Sequence, residues 1–166
     1  MVFNSVYLHE TLAREAEFAR TGGLSLSIVM VDLDNFRWIT DTHGQEVGDT
    51  VLQHIVNLTR SALRHADWMA RYDEGQLVVV LPGTHLEGAY AAAERMRRRC
   101  AEKAFELPTT QLVVTASFGV ACIQAVPAGA DDARAMLQEA SEALRESQLA
   151  GRNRVTCSPS RSRATP

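Results

Sequence analysis

Apolar positions follow two different periods along this chain, and the change of period separates predicted helices from predicted strands. Four long segments place apolar residues at helical spacing, and shorter β-branched runs lie between them. In chain order we predict a helix ending at Gly22-Gly23, a strand over 24–33, a short helix before Gly44, a helix over 47–63, strands over 68–72 and 76–81, a helix to about 103, a strand over 112–123, a helix over 131–149 and a strand over 154–156. The hairpin within this alternation indicates a mixed or antiparallel sheet, not a doubly wound one.

Composition restricts the class of protein. The 166 residues are 46% hydrophobic and 22% charged, which is typical of a single globular domain, predicted here over 1–157 with a disordered Ser/Pro/Arg-rich tail over 158–166. The net charge of −3 argues against nucleic acid as a partner, and no apolar run is long enough for membrane insertion. Three widely spaced cysteines indicate reduced thiols. We expect a cytoplasmic domain, either alone or as the cytosolic part of a larger or membrane-anchored protein.

The most informative motif lies between the predicted helix over 47–63 and the hairpin. It reads Arg64-His65-Ala66-Asp67, then three residues, then Arg71-Tyr72-Asp73-Glu74-Gly75-Gln76-Leu77. This segment resembles the core of the GGDEF family, bacterial domains that join two GTP molecules into cyclic di-GMP. In that family R-x-x-D precedes R-Y-G-G-D-E-F. The R-x-x-D half is intact here, whereas the signature half is changed.

The resemblance extends over residues 4–155. Further family-like segments are VDLDNFR at 31–37, TDTHGQEVGD at 40–49, ASFGVA at 116–121, ASEAL at 140–144 and GRNRV at 151–155. Several spaced motifs in the same order make the resemblance specific. It implies an α/β (α+β) protein with the GGDEF/adenylyl-cyclase palm-like fold, in which helices flank a central five-stranded, largely antiparallel sheet.

The resemblance also implies where a vestigial nucleotide site lies. Asp32 matches the family's metal-ligand aspartate, Asp49 matches a guanine contact, and Arg152 is retained. Thr40 replaces an asparagine that reads guanine, and Gln148 replaces a lysine that contacts phosphate. We therefore expect losses at the metal, the base and the phosphates together.

The degenerate signature, residues 73–77, carries the largest change. By ungapped count, Gly75 and Gln76 replace its two carboxylates, and an amide oxygen is a poorer Mg²⁺ ligand than a carboxylate. Asp73 and Glu74 replace two glycines and bring negative charge to the place where a triphosphate would lie. We expect no catalytic residue and no cofactor, with Mg²⁺ required only if residual cyclase activity persists.

The R-x-x-D motif supports a ligand site instead. An arginine can bind the O6 and N7 atoms of guanine, and a carboxylate can accept from its N1–H and amino group. Cyclic di-GMP is therefore the expected ligand of Arg64 and Asp67, with Arg95 as a second contact by family resemblance. The same R-x-x-D spacing is also common at helix ends, and Arg95, Arg98 and Arg99 also suit a solvated helix face.

The leading hypothesis is a catalytically inactive GGDEF domain that acts as a cyclic di-GMP receptor in bacterial signalling, such as the control of biofilm. Its protein partner would be a second copy or a partner signalling domain. One alternative is an active diguanylate cyclase in which Asp73-Glu74 slide two places and take over the carboxylate role. Another is a nucleotide-free interaction or dimerisation module. For Asp32 and Asp34, expected on the same side of a strand, the alternative role is to cap the following helix.

Overall fold

Alternating helices and strands make up the described residues, 1–107, 111–123 and 132–159 of a computed structural model. In chain order the elements are α1 (Ser5–Gly22), β1 (Leu26–Leu33), α2 (Phe36–His43), α3 (Gln45–Arg60), β2 (Trp68–Asp73), β3 (Gln76–Pro82), α4 (Leu86–Glu102), β4 (Ala104–Glu106), β5 (Gln111–Val113), β6 (Ala116–Ile123), α5 (Asp132–Leu149) and β7 (Val155–Cys157).

Five strands form one sheet in the order β2-β3-β1-β6-β7. β1 lies at its centre and runs antiparallel to both β3 and β6, while β2 runs antiparallel to β3. The edge strand β7 pairs parallel with β6. The predicted five-stranded, largely antiparallel sheet is therefore confirmed. β4 and β5 form a separate two-stranded ribbon.

Helices cover both faces of this sheet because its central strands are apolar on both sides. Val29 and Val31 of β1 belong to a core shared with α3 and α4. Ile28 and Met30, which alternate with them, belong to a second core shared with α1 and α5. Both sets are almost fully buried. The hydrophobic burial on the two faces fixes the position of β1, whose carboxyl end carries Asp32 and Asp34.

Two predicted elements differ from the structure. The strand predicted over 112–123 is divided, because Gln111–Val113 pairs with β4 and only Ala116–Ile123 joins the sheet. The helix predicted to reach residue 63 ends at Arg60. Apolar side chains continue through both breaks, so the hydrophobic pattern gave no signal of either one.

The carboxyl-terminal end of the domain is set by a backbone hydrogen bond to β6. The Ser158 N–H donates to the Val120 carbonyl at 2.7 Å, one residue beyond the predicted end of the domain. The tail predicted to be disordered falls, from residue 160 onward, outside the described residues. In the described part of the chain, no helix has both the length and the apolarity needed to cross a membrane.

Gly119 of β6 lies directly against α5, and this contact predicts a large effect on stability. A Cβ at Gly119 would lie 2.1 Å from the Ala140 carbonyl oxygen and 2.3 Å from the Leu144 nitrogen, both backbone atoms. We expect Gly119→Ala to lower the free energy of unfolding by about 2–3 kcal/mol. Gly88→Ala, on the exposed part of α4, is the control: its Cβ would meet only the Thr84 methyl group, at 3.1 Å, so it should be far less destabilising than Gly119→Ala. Urea denaturation measures both, and equal effects would contradict the close packing of β6 on α5.

Candidate functional site

A depression of about 880 Å³ lies where the end of β1 meets the β2–β3 hairpin, and we call it the β1 depression. Backbone hydrogen bonds fix its floor: the Leu33 N–H donates to the Gly75 carbonyl at 3.3 Å, and the Asp34 N–H donates to the Thr115 carbonyl at 2.9 Å. The depression is lined by three residues of the implied nucleotide site that precede the hairpin, Asp32, Thr40 and Asp49. Gln148 of α5 and Arg152 of the loop after α5 complete this part of the lining. The sequence prediction that they share one place thus agrees with the geometry.

Asp32 lies at the base of the β1 depression and is held by two glutamine amides. Gln76, its cross-strand neighbour on β3, donates from Nε2 to Asp32 Oδ2 at 2.9 Å, and Gln148 of α5 donates to the same oxygen at 3.0 Å. Burial raises the pKa of Asp32, these two hydrogen bonds oppose the rise, and the charges of Asp34 and Asp73 add to it. One carboxylate oxygen is therefore occupied by the two residues that replace a carboxylate and a lysine of the family pattern.

Asp34 has a different environment from Asp32. β1 ends one residue before Asp34, and the Asp34 carboxylate is buried. It accepts hydrogen bonds from the Thr115 hydroxyl at 2.7 Å, the Ser117 hydroxyl at 2.7 Å and the Asn153 N–H at 3.0 Å. Asp34 thus joins β1 to β6 and to the loop before β7. It does not cap α2, whose N-cap residue is Asn35 and has no side-chain capping bond.

The tip of the β2–β3 hairpin has two acidic residues, Asp73 and Glu74, followed by a glycine, Gly75. Gly75 has a φ of +72°, and a Cβ there would lie 2.9 Å from Cδ1 of Phe36. A side chain at Gly75 would therefore require both a strained backbone and a shift of Phe36. Asp73 and Glu74 line the depression, and Asp73 Oδ1 accepts from the Glu74 N–H at 2.8 Å.

The residues at the implied base-reading end also have internal partners. The Thr40 hydroxyl donates to the Arg37 carbonyl at 2.9 Å, and its methyl group faces Gly48, where a Cβ would lie only 2.4 Å away. Asp49 Oδ1 accepts from Gln45 Nε2 at 3.2 Å within α3. The Thr40 hydroxyl proton is therefore used within α2, whereas Asp49 Oδ2 has no donor among the described residues.

The electrostatic character of the β1 depression is negative. Its lining includes six carboxylates, those of Asp32, Asp34, Asp41, Asp49, Asp73 and Glu74, and three arginines, Arg37, Arg71 and Arg152. Arg152 has a left-handed backbone with a φ of +64° in the turn after α5. Its guanidinium has no hydrogen-bond or ionic partner within the part of the chain that the structure describes.

A second depression, of about 620 Å³, contains the R-x-x-D motif, and we call it the Arg64 pocket. The Arg64 N–H donates to Asp67 Oδ2 at 2.8 Å, and the Asp67 N–H donates to the Arg64 carbonyl at 3.2 Å. The spacing therefore has a structural role, since Asp67 closes the turn before β2. Among the described residues the Arg64 guanidinium contacts no hydrogen-bond or ionic partner, and Asp67 Oδ1 has no donor.

The arginines Arg95, Arg98 and Arg99 of α4 do not join the Arg64 pocket. Arg95 is exposed on α4 and is absent from the residues that line the pocket. Arg98 lies 3.6 Å from the Glu94 carboxylate, and Arg99 donates from Nη1 to the Ser61 hydroxyl at 2.7 Å. The ligand role of Arg95 predicted from the sequence receives no support from this arrangement within one chain.

Several residues of these sites were not predicted from the sequence. Gln45 donates a hydrogen bond to the Asp49 carboxylate, and the hydroxyl groups of Thr115 and Ser117 donate to the Asp34 carboxylate. Ser117 carried a usable signal, because a hydroxyl inside an apolar strand needs a buried partner. The identity of that partner depends on the pairing of β1 with β6, which no local pattern reveals.

Comparison with known proteins identifies the family. The model of the family "Diguanylate cyclase, GGDEF domain" matches residues 1–154. Diguanylate cyclase A of Treponema denticola is 38% identical over 134 residues, which is 81% of this chain and 35% of that protein. Diguanylate cyclase DgcP of Pseudomonas aeruginosa is 34% identical over 152 residues, covering 92% and 22%. The GGDEF domain of DgcB from Caulobacter crescentus, solved with c-di-GMP, superposes with a TM-score of 0.87 at 23% identity, covering 95% of this chain and 91% of that one.

The sheet order and the placement of the motifs define a cyclase-type palm domain. The chain belongs to the GGDEF family. It spans about a third or less of the length of these two curated relatives. The likeness to the DgcB domain, at 23% identity, shows the fold alone.

The residues of the β1 depression do not fit the Mg²⁺ ion that cyclase chemistry in this family implies. Mg²⁺ requires anionic or carbonyl oxygens in octahedral arrangement. Gln76 and Gln148 present N–H groups to Asp32, and Asp34 is already bonded by three donors. Within the ranges that the structure describes, no group of three or more His, Cys, Asp or Glu side chains could hold a metal ion.

The raised pKa of Asp32 predicts a pH-dependent gain from Asp32→Asn. Because the folded pKa lies above the unfolded one, the carboxylate costs stability as the pH rises from the unfolded pKa of about 4 through the folded pKa, and this cost persists at neutral pH. The asparagine Oδ1 can still accept from Gln76 and Gln148. We expect the variant to be more stable than the wild type at pH 7, with the difference shrinking towards pH 4. Thermal melts across this range measure it, and a pH-independent difference would contradict the assignment.

Proposed function

We propose that this domain is a catalytically inactive member of its family and acts as a cyclic di-GMP receptor through Arg64 and Asp67. The single observation that carries the proposal is the pair of glutamine N–H groups on Asp32 Oδ2, at 2.9 and 3.0 Å. A metal-ligand carboxylate needs its oxygens free for the ion. Here the oxygen already accepts two hydrogen bonds, and both donors come from residues that differ from the family pattern.

The charges of the two depressions support the same assignment. Cyclic di-GMP and GTP are both anionic, so each requires local positive charge. In the β1 depression carboxylates outnumber arginines by six to three. In the Arg64 pocket the charged side chains are balanced, two arginines (Arg60 and Arg64) against two carboxylates (Glu15 and Asp67). The pocket is therefore the more favourable of the two for an anionic ligand.

The free groups of the Arg64 pocket suit a guanine. The Arg64 guanidinium is exposed and unpaired among the described residues, so it can bind the O6 and N7 atoms or a phosphate of the ligand. Asp67 uses Oδ2 to close its turn and keeps Oδ1 for the N1–H or amino group of the base. Ligand binding in the cytoplasm would then alter how the domain meets a second copy or a partner signalling domain.

Calorimetric titration with cyclic di-GMP tests the receptor role. We expect micromolar or tighter binding by the wild type, and a loss of about tenfold or more in Arg64→Ala and in Asp67→Asn, because a bidentate contact to a base contributes about 1–3 kcal/mol. Asp67→Asn is the sharper variant, since its amide oxygen can still accept from the Arg64 N–H and preserve the turn. Arg145→Ala, on the exposed side of α5, is the control and should bind like the wild type.

No heat with the wild type would refute the receptor role. Silence with both cyclic di-GMP and GTP, together with specific self-association, would instead favour the nucleotide-free interaction module. Equal binding by the wild type and Asp67→Asn would show that the carboxylate charge has no role in recognition.

Metal-dependent stabilisation tests the inactive state without relying on turnover. Mg²⁺ should leave the Tm of the wild type unchanged. Gln76→Glu places a second carboxylate opposite Asp32, so its Tm should rise with Mg²⁺, by the equivalent of about 1–3 kcal/mol at saturation. Gln53→Glu, on the exposed face of α3, is the control for added charge and should show no such rise.

A direct assay of cyclic di-GMP formation also tests the inactive state. Wild-type protein incubated with GTP and Mg²⁺ should form no cyclic di-GMP by chromatography. Accumulation of the product would overturn the inactive-domain proposal in favour of an atypical diguanylate cyclase. Stabilisation of the wild type by Mg²⁺ alone would contradict the interpretation of the two glutamines.

A further inference from the structure

Three aromatic rings form one wall of the Arg64 pocket. Phe3 and Tyr7 stack face to face, with ring centroids 3.9 Å apart and an interplanar angle of 14°. Trp68 packs edge-on against both, at 6.0 Å from Phe3 and 5.6 Å from Tyr7. Tyr7 remains 37% exposed, so this aromatic wall is only partly covered by the protein itself.

The aromatic wall and the R-x-x-D turn are fixed to the same strand. The Phe3 N–H donates to the Met69 carbonyl at 3.0 Å, and the Arg71 N–H donates to the Phe3 carbonyl at 2.8 Å, so the amino-terminal segment lies along β2. Asn4 then caps α1 by accepting from the Tyr7 N–H at 2.9 Å. Since β2 begins directly after the turn, the rings and the turn keep a constant relative position.

This arrangement has the chemistry of a purine site. An arginine and a carboxylate read the edge of a base, whereas its flat face is bound by an aromatic ring or a guanidinium plane. The pocket contains both kinds of group. In addition, the indole N–H of Trp68 is buried and has no hydrogen-bond partner among the described residues, so the aromatic wall has an unsatisfied donor.

We propose that Tyr7 is the stacking surface for a purine base whose edge is read by Arg64 and Asp67. The amino-terminal segment Met1–Asn4 is then part of the binding site, and ligand binding favours its docking along β2. This inference rests on the proposed receptor function and adds a base-stacking residue to it. Ligand occupancy is thereby coupled to the position of this amino-terminal segment.

Titration with cyclic di-GMP of matched Tyr7 variants is the test. Tyr7→Leu should weaken binding by roughly 5- to 150-fold, because stacking on an aromatic ring contributes that much per base. Tyr7→Phe keeps the ring and should bind like the wild type. Tyr90→Leu, which removes an exposed tyrosine of α4 outside both depressions, is the control and should also bind like the wild type.

Fluorescence gives a second readout that does not depend on the stability of Tyr7→Leu. In a Trp38→Phe background the remaining tryptophan is Trp68, and its emission should change in step with ligand occupancy. Unchanged emission at saturation would overturn the inference.

The outcomes separate this inference from the proposed function. No binding by the wild type refutes both. Wild-type affinity in Tyr7→Leu, with loss of binding in Arg64→Ala, refutes the stacking role alone and leaves the receptor function in place.

Discussion

The hydrogen bonds that Gln76 and Gln148 donate to Asp32 decide how the rest of the site is organised. They connect β3, β1 and α5 at the point where a metal-dependent cyclase needs free oxygens. A half-buried carboxylate without a cation requires donors, because its desolvation is otherwise uncompensated. Two neutral amides satisfy this requirement without supplying positive charge. The two glutamines therefore make Asp32 part of an internal polar contact at the sheet end and leave its negative charge in place.

Carboxylates outnumber arginines in the lining of the β1 depression, whereas the Arg64 pocket has equal numbers of the two. Asp73 and Glu74 add two carboxylates at the tip, and Arg152 is the retained arginine of the α5–β7 turn. Arg64 and Arg60, by contrast, line the second pocket. The two depressions therefore differ in their balance of charge. Under the proposed function, an anionic ligand meets an excess of carboxylates in the β1 depression and balanced charge with an unpaired guanidinium in the Arg64 pocket.

Much of the fold followed from the sequence because hydrophobic period and turn residues agree along most of the chain. The alternation of Ile28, Val29, Met30 and Val31 between two cores requires a strand covered by helices on both faces. The β4–β5 ribbon did not follow, since apolar residues run through the break before Ala116. Local periodicity reports burial, and it does not report which strand is the partner.

For the sites, the sequence predicted most of the groupings but not the bonds within them. Asp32, Asp49, Gln148 and Arg152 line one depression, Gln76 reaches it through its bond to Asp32, and Arg95 does not line the Arg64 pocket. The bond from Gln148 spans 116 residues of sequence separation, and the position of Tyr7 beside the Arg64 pocket depends on the docking of Phe3 along β2. Contacts of this kind depend on tertiary geometry, so no spacing rule in the chain encodes them.

The register of the hairpin is the strongest argument against a hidden active site. β3 pairs with β1 through seven consecutive residues, from Leu26 opposite Pro82 to Asp32 opposite Gln76. A slide that moved Glu74 to the place of a metal ligand would break this ladder and its buried side-chain contacts. Gly75 opposes the same slide, because its positive φ and its contact with Phe36 exclude a side chain at that position. An acidic tip is therefore present beside the depression, yet the backbone holds it away from the position that faces Asp32.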